Sequence, residues 1–254
     1  MAATRKARVL AWWLVGVLAF VALAFAADSG LRSYAEYRMQ SEIEKALPEG
    51  LATPDLRVTV RGFSFIYQYL RGSFDQVDVE APDIATSRGS VSATLEAYDV
   101  RIDRSFAKPP VLGRVQGALH ASEASVNSLV ALPDPSAAIR LGSKSVTYVA
   151  TTQVLGVPIT YSAAVRPVAD GDVVRLYPIS VNVVSGPVHF DVKSILGGLF
   201  DGKPVDVCIA PYLPEGLDVG TISISRSRVD VTFGAEDFSL DEKTFNRHAT
   251  CPSS

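Results

Sequence analysis

From Leu56 to Phe233 the chain returns again and again to strict alternation of apolar and polar residues. A chain patterned this way folds into antiparallel sheet with one wet face and one apolar face. Leu56-Arg57-Val58-Thr59-Val60, Val77-Asp78-Val79-Glu80, Val91-Ser92-Ala93-Thr94-Leu95 and Val100-Arg101-Ile102-Asp103 all show it. Further strands are expected at 115–121, 145–152, 159–168, 173–184 and 188–192, with a closing hairpin at 220–225 and 229–233. Asp170-Gly171-Asp172 reads as a hairpin turn rather than a metal loop. Ser122 can cap a short helix carrying Val126, Leu129 and Val130, ended by Pro133 and Pro135, and a second short helix is expected at 193–200.

The apolar faces need a cover. Between Asp28 and Leu47, apolar residues recur at three- and four-residue steps (Leu31, Tyr34, Ala35, Met39, Ile43, Leu47) until Pro48-Glu49-Gly50 stops the pattern. This amphipathic helix is the natural cover. The expected fold class is therefore α+β, a curved antiparallel sheet wrapped around a long N-terminal helix.

Before that helix, residues 9–27 run nineteen positions without a charge, behind Arg5, Lys6 and Arg8. A spanning helix needs about 20 apolar residues, and a basic flank keeps its own end in the cytoplasm. Residues 1–27 thus read as a signal anchor, or as a signal peptide cleaved after Ala26, where Ala24-Phe25-Ala26 supplies small residues. The length of the run and the bulk of Trp12-Trp13 favour the anchor. Residues 28–254 then form one extracytoplasmic domain, on the periplasmic side of a cell membrane or secreted if cleavage occurs. That part carries 21 basic against 27 acidic residues, a net charge of −6. Such a balance excludes nucleic acid as a partner and leaves any membrane contact chiefly hydrophobic. Cys208 and Cys251 are an even pair in an oxidising compartment, which predicts a disulfide; the alternative is two free thiols.

Residues 60–79 hold the densest apolar signal. Phe63, Phe65, Ile66, Tyr67, Tyr69, Leu70 and Phe74 fall within twelve positions, with Gly62 and Gly72 bracketing most of them. Neither period two nor period 3.6 puts them all on one buried face. A short helical turn at 66–70 would turn some inward and leave others at an edge, as in a ligand mouth or a membrane-touching rim. The alternative is a large aromatic core cluster.

This stretch, Arg61-Gly62-Phe63-Ser64-Phe65-Ile66-Tyr67-Gln68-Tyr69-Leu70-Arg71-Gly72-Ser73-Phe74 and on into Val77-Asp78-Val79, resembles the signature of the actinobacterial LmeA-like phospholipid-binding family. That signature runs Gly-Phe-Pro-Phe, Gln-Leu, then Gly and an aromatic before a Val-x-Val strand. Ser64 stands where the family usually has proline, and Tyr69 where it often has leucine. Leu213-Pro214-Glu215-Gly216-Leu217 also matches, and the resemblance extends over roughly 31–238. It implies a tubular lipid-binding fold of the BPI/SMP-like type, no cofactor, and phospholipid or glycolipid as ligand. It further implies a role in maturing mannosylated phosphatidylinositol lipoglycans; lipid transfer is the alternative role, and an envelope glycosyltransferase is a candidate protein partner. The groove is expected at Phe63, Phe65, Ile66, Tyr69, Leu70 and Phe74, with Tyr34 from the helix.

A search for catalytic chemistry returns little. His120, His189 and His248 are widely separated, and there is no GxSxG, HExxH, GxGxxG or Walker loop. Asp75 with Asp78, or Asp99 with Asp103, could be drawn as a glycosidase pair, but on strands and turns solvated acids are the default. Two functions remain: a non-enzymatic lipid-binding module, or an envelope scaffold binding an enzyme through the same apolar rim. A dozen buried methylenes at ~0.8 kcal/mol each would stabilise a bound lipid by roughly 10 kcal/mol before ordering terms, without needing charge.

Overall fold

The computed structural model describes residues 3–46, 52–86, 88–105, 107–130, 132, 135–154, 157–185, 188–190, 203–241, 244, 247 and 250–251; the side chains of 3–17, 46, 154, 157, 184, 185 and 188–190 fall outside it. The chain runs α1 (Ala3–Ala46), β1 (Arg57–Arg61), α2 (Phe65–Arg71), β2 (Ser73–Ala85), β3 (Ser90–Arg101), β4 (Val111–Ser122), α3 (Glu123–Leu129), β5 (Ala138–Leu141) and β6 (Val146–Val154). It continues with β7 (Val157–Asp170), β8 (Val173–Ser185), β9 (Val188–Phe190), β10 (Val205–Cys208), a 3₁₀ turn at Ala210–Tyr212, β11 (Asp218–Ile224) and β12 (Arg228–Ser239). Every strand pairing is antiparallel.

The strands make two open sheets. The first has the order β1-β2-β3-β4-β12-β11; the second has β10-β8-β7-β6-β5, with β9 also on β8. They meet where β11 passes two turns of the second sheet: Val219 donates its N–H to the carbonyl of Gly171 in the β7–β8 hairpin at 3.0 Å, and Lys144, between β5 and β6, donates its N–H to that of Ile224 at 3.1 Å. Gly171, in the left-handed region at φ +63°, closes the hairpin expected at Asp170–Asp172.

The core of the first sheet depends on a shift of phase. Phe74, Val100, Leu112 and Phe238 lie in one row across four strands, and Val77, Ala97, Val115 and Ala235 lie in the next. Along each strand the two rows are three residues apart, not two. The extra positions are Asp75, Asp99, Gly113 and Asp237, and Asp99 and Asp237 hold φ of +51° and +46°. A Cβ on Gly113 would sit 2.8 Å from that of Asp99, so the crossing needs glycine there. This row of extra residues brings both sets of apolar residues onto one face, where they form a closed core with Val60, joined at its edge by Met39, Phe65 and Leu217. This phase change makes β3 one strand; alternation alone divides it into 91–95 and 100–103, losing the phase at Asp99.

Ser122 caps α3 as its position predicts, accepting from the Ser125 N–H at 3.0 Å. The helix expected at 193–200 lies outside the described residues, as does the end of the strand expected at 188–192. β5 and β10, both short, were not expected. Cys208 and Cys251 form a disulfide with Cα atoms 5.9 Å apart. The long helix is unbroken through the apolar run, and among the described residues it packs chiefly on β1 and α2. The fold is α+β and antiparallel, with the helix along one edge of the first sheet.

Candidate functional site

The aromatic segment folds into a turn and a short helix held from within. Gly62, at φ +111°, reverses the chain, and a Cβ there would lie 2.6 Å from Gln68 Nε2. Ser64 is the N-cap of α2, its hydroxyl accepting from the Tyr67 N–H at 3.1 Å. Gly72, at φ +80°, ends the helix, its N–H reaching the carbonyls of Gln68 and Tyr69. Gln68 is 1% exposed and uses both ends of its amide: Nε2 donates to the Arg61 carbonyl at 3.0 Å, and Oε1 accepts from the Asp75 N–H at 2.7 Å.

The turn is fastened to α1 by three charged residues spaced four apart. Asp28 accepts from the Ser64 hydroxyl at 2.7 Å, the Ile66 N–H at 2.9 Å and the Phe65 N–H at 3.1 Å. Arg32 donates to the Gly62 carbonyl at 2.9 Å, and Glu36 accepts from the N–H of Val60 on the edge strand at 2.8 Å. A helix start and a sheet edge leave backbone groups without partners, so here the docking face of α1 must be polar. Burial alone would push the Asp28 carboxyl up. The N–H of Ile66, the Ser64 hydroxyl, the Phe65 N–H and the Arg32 guanidinium outweigh it and hold the group below its ordinary range. The apolar stripe expected to face the sheet is consequently split. Ala35, Met39 and Ile43 are half-buried, Leu31 and Tyr34 are exposed, and Leu47 lies outside the described residues. Sequence reading missed Asp28, Arg32 and Glu36, whose one available signal was the four-residue spacing of the charges, and it met Gln68 only as part of the family signature.

The segment's apolar residues separate into an inner and an outer set. Phe74 is buried in the core, and Phe65 packs on it at 5.5 Å between ring centroids and on Tyr69 at 6.4 Å. Ile66 is half-buried and Tyr69 is at the margin. Phe63, 85% exposed, sets its ring edge-on to Phe25 of α1, with centroids 6.4 Å apart. Tyr67 and Leu70, three apart on α2 and so on one helix face, are exposed as well. A small cleft of about 140 Å³ between helix and turn is lined by Ala24, Phe25, Asp28, Phe63 and Ser64.

Beyond the closed core, the apolar face of the first sheet continues in two further rows. One is Val79, Leu95, Gly117, Phe233 and Val219, and the other is Ala81, Ala93, Leu119, Val231 and Ile222. The Phe233 ring lies over Gly117, where a Cβ would meet it at 2.2 Å. Leu119, on an interior strand, is nonetheless 41% exposed. The opposite face is polar, with a shallow groove of about 470 Å³ between Thr94, Glu96, Gln116 and Thr232.

Four of the titratable groups weighed from the sequence, His120, Asp75, Asp78 and Asp103, have other partners. His120 Nδ1 lies 2.5 Å from Asp230, which also takes Arg228 at 2.8 Å. Asp78 takes Arg61 and the Gln76 amide, Asp75 takes Arg71, and Asp103 takes the Ser105 hydroxyl. The side chain of His189 and the whole of His248 lie outside the described residues. Among the described residues no group of His, Cys, Asp and Glu is placed to hold a metal ion. Among them, too, no helix is long and apolar enough to cross a membrane; half of the run 9–27 falls in the part of α1 whose side chains are not described.

No curated protein and no solved structure matches this chain. The model of the LmeA-like phospholipid-binding family matches residues 26–234. That span takes in the polar ladder on α1, the turn with its short helix, and both sheets up to the middle of β12, and the chain belongs to the LmeA-like phospholipid-binding family.

Proposed function

We propose that this chain is a non-enzymatic phospholipid- or glycolipid-binding protein of the cell envelope, holding acyl chains against the apolar face of its sheets on a scaffold of the tubular type. Leu119 is the observation that carries the reading. A leucine on the apolar side of an interior strand is normally covered by protein, and this one, beside half-buried Val231 and Ala93, is left partly open. Family membership supports the same ligand class. The apolar run 9–27 behind Arg5, Lys6 and Arg8 supports reading the protein as single-pass with its domain on the extracytoplasmic side, or as secreted if cleaved after Ala26. Support of lipoglycan maturation beside an envelope glycosyltransferase is the role to which this reading extends.

The test is lipid extraction and mass spectrometry of the full chain from an exporting host, with uptake from vesicles of labelled phosphatidylinositol. Co-purifying phospholipid, and uptake that falls in Leu119→Asp while thermal unfolding barely moves, is the expected result. A chain that carries no lipid and takes none up would sink the reading.

A further inference from the structure

Phe63, Tyr67 and Leu70, within eight residues on the turn and α2, are exposed apolar side chains that the core does not use. Phe63 is 85% exposed, and Tyr67 and Leu70 are each 61% exposed. They are not on a flexible tip. The turn is pinned to α1 by Asp28 and Arg32, and α2 is closed from inside by Gln68. Their height along α1 is therefore fixed. Asp28 is the first charged residue after the run 9–27, and Phe63 packs on Phe25, one helical turn earlier, inside that run.

Resting on the reading that residues 9–27 anchor the chain, we infer that Phe63, Tyr67 and Leu70 are a hydrophobic foot embedded in the outer leaflet beside the anchor. If the run spans the bilayer, Asp28 marks the outer boundary and the ring of Phe63 lies on its apolar side. Aromatic residues at that depth are the ordinary belt of a membrane protein. Cations stand at the same level: Arg71 lies 5.7 Å over the Tyr67 ring, and Arg104 donates to the Leu70 carbonyl at 3.0 Å. Long basic side chains there can rise to the headgroups while the apolar side chains enter the acyl chains. The bilayer is favoured over a protein partner because Phe63 packs on Phe25, beside exposed Leu23 on α1, a surface that on the anchor reading lies in lipid. The net charge of −6 beyond the anchor makes the docking hydrophobic, so it holds in zwitterionic lipid and in salt. A domain seated at two points keeps one orientation, with the Phe65–Phe74 end of its core toward the leaflet from which lipid comes.

The experiment uses the full chain in phosphatidylcholine vesicles, with the native disulfide intact and a nitroxide placed through Tyr67→Cys, Leu70→Cys or, on the polar sheet face, Thr94→Cys. Collision with oxygen and with a water-soluble nickel chelate is read by power saturation. The expected result is a reversed ratio: labels at 67 and 70 meet oxygen and are shielded from nickel, while the label at 94 meets nickel. Labels at 67 and 70 open to nickel overturn the inference, whether or not the chain stays with the vesicles. Spin–spin broadening between labels at 67, the mark of a second copy on this face, overturns it too. Phospholipid uptake on the same samples keeps the two readings apart: embedded labels without uptake leave the foot and remove the lipid-holding function, and uptake with wet labels does the reverse.

Discussion

The carboxylate of Asp28 and the hydroxyl of Ser64 meet at 2.7 Å across thirty-six residues of sequence, and the same carboxylate takes the first two free N–H groups of α2. Asp28 is thus a cap supplied from another helix, and Ser64 is both its donor and the local cap. A side-chain cap contributes about 1 kcal/mol, and hydrogen bonds to a charged group contribute about 1.5–3 kcal/mol.

Asp28→Ala should therefore lower stability at neutral pH by about 2 kcal/mol, and Ser64→Ala by about 1 kcal/mol. The pH dependence has a definite sign. The folded carboxyl titrates below its unfolded value of about 3.9, so its contribution is complete above that value and is lost as pH falls through the folded one. Denaturant unfolding at pH 6 and at decreasing pH below 4 should show wild type converging on Asp28→Asn. Glu123, also held low by the Leu141 N–H and by Arg140, titrates in the same direction in both proteins and leaves the difference between them unaffected. A constant gap between the two curves would remove Asp28 from the cap.

Gln68 makes the opposite case, a polar residue that a hydrophobic one cannot replace. Gln68→Leu keeps the volume and adds apolar surface, but it leaves the Arg61 carbonyl and the Asp75 N–H without partners. Each orphaned group costs about 1–3 kcal/mol, so a net loss of about 3 kcal/mol is expected by chemical denaturation. A leucine variant as stable as wild type would mean that water reaches both groups.

Much of this arrangement was legible in the sequence, and the rest was hidden for identifiable reasons. Val58 and Val60 alternate with exposed neighbours as read, Ser122 caps where it should, and the turn at 66–70 is α2. The division of Phe63 from Phe65 was foreseen only as a question, because it depends on where Gly62 reverses the chain. The ladder Asp28-Arg32-Glu36 was hidden because charges four apart on a helix are usually solvated, and only the unpaired backbone opposite gives them partners. The Asp99–Gly113–Asp237 row was hidden because residues with positive φ break the period on which strand reading rests.

The bond between Cys208 and Cys251 closes a loop of 43 residues between β10 and the C-terminal tail. By chain entropy such a loop stabilises the fold by about 4 kcal/mol. Cys208→Ser, or reduction of the native chain, should lower the unfolding transition by that order. Peptide mapping without reductant should recover the two cysteines in one fragment, and two free thiols in exported protein would contradict the bond.

The division between inner and outer aromatics gives the sharpest contrast. Phe65 and Phe63 are two residues apart, yet one packs on Phe74 in the core and the other stands in the open against Phe25. Phe65→Asp places an unpaired carboxylate among apolar rings, which costs roughly 4 kcal/mol or more, and should give a chain that fails to fold. Phe63→Asp leaves the charge in water when the domain is free of lipid and should cost under about 1 kcal/mol. Tyr69→Asp, at the margin, should fall between them. Phospholipid uptake then reads the second half of the contrast. Phe63→Asp should fold normally and take up lipid from vesicles poorly, since a carboxylate at that depth must be desolvated to enter the leaflet. Equal unfolding midpoints for Phe65→Asp and Phe63→Asp would show that the turn does not sort these rings into core and surface. Normal uptake by a folded Phe63→Asp chain would move the entry of lipid away from this end of the molecule, toward the open stretch of sheet around Leu119.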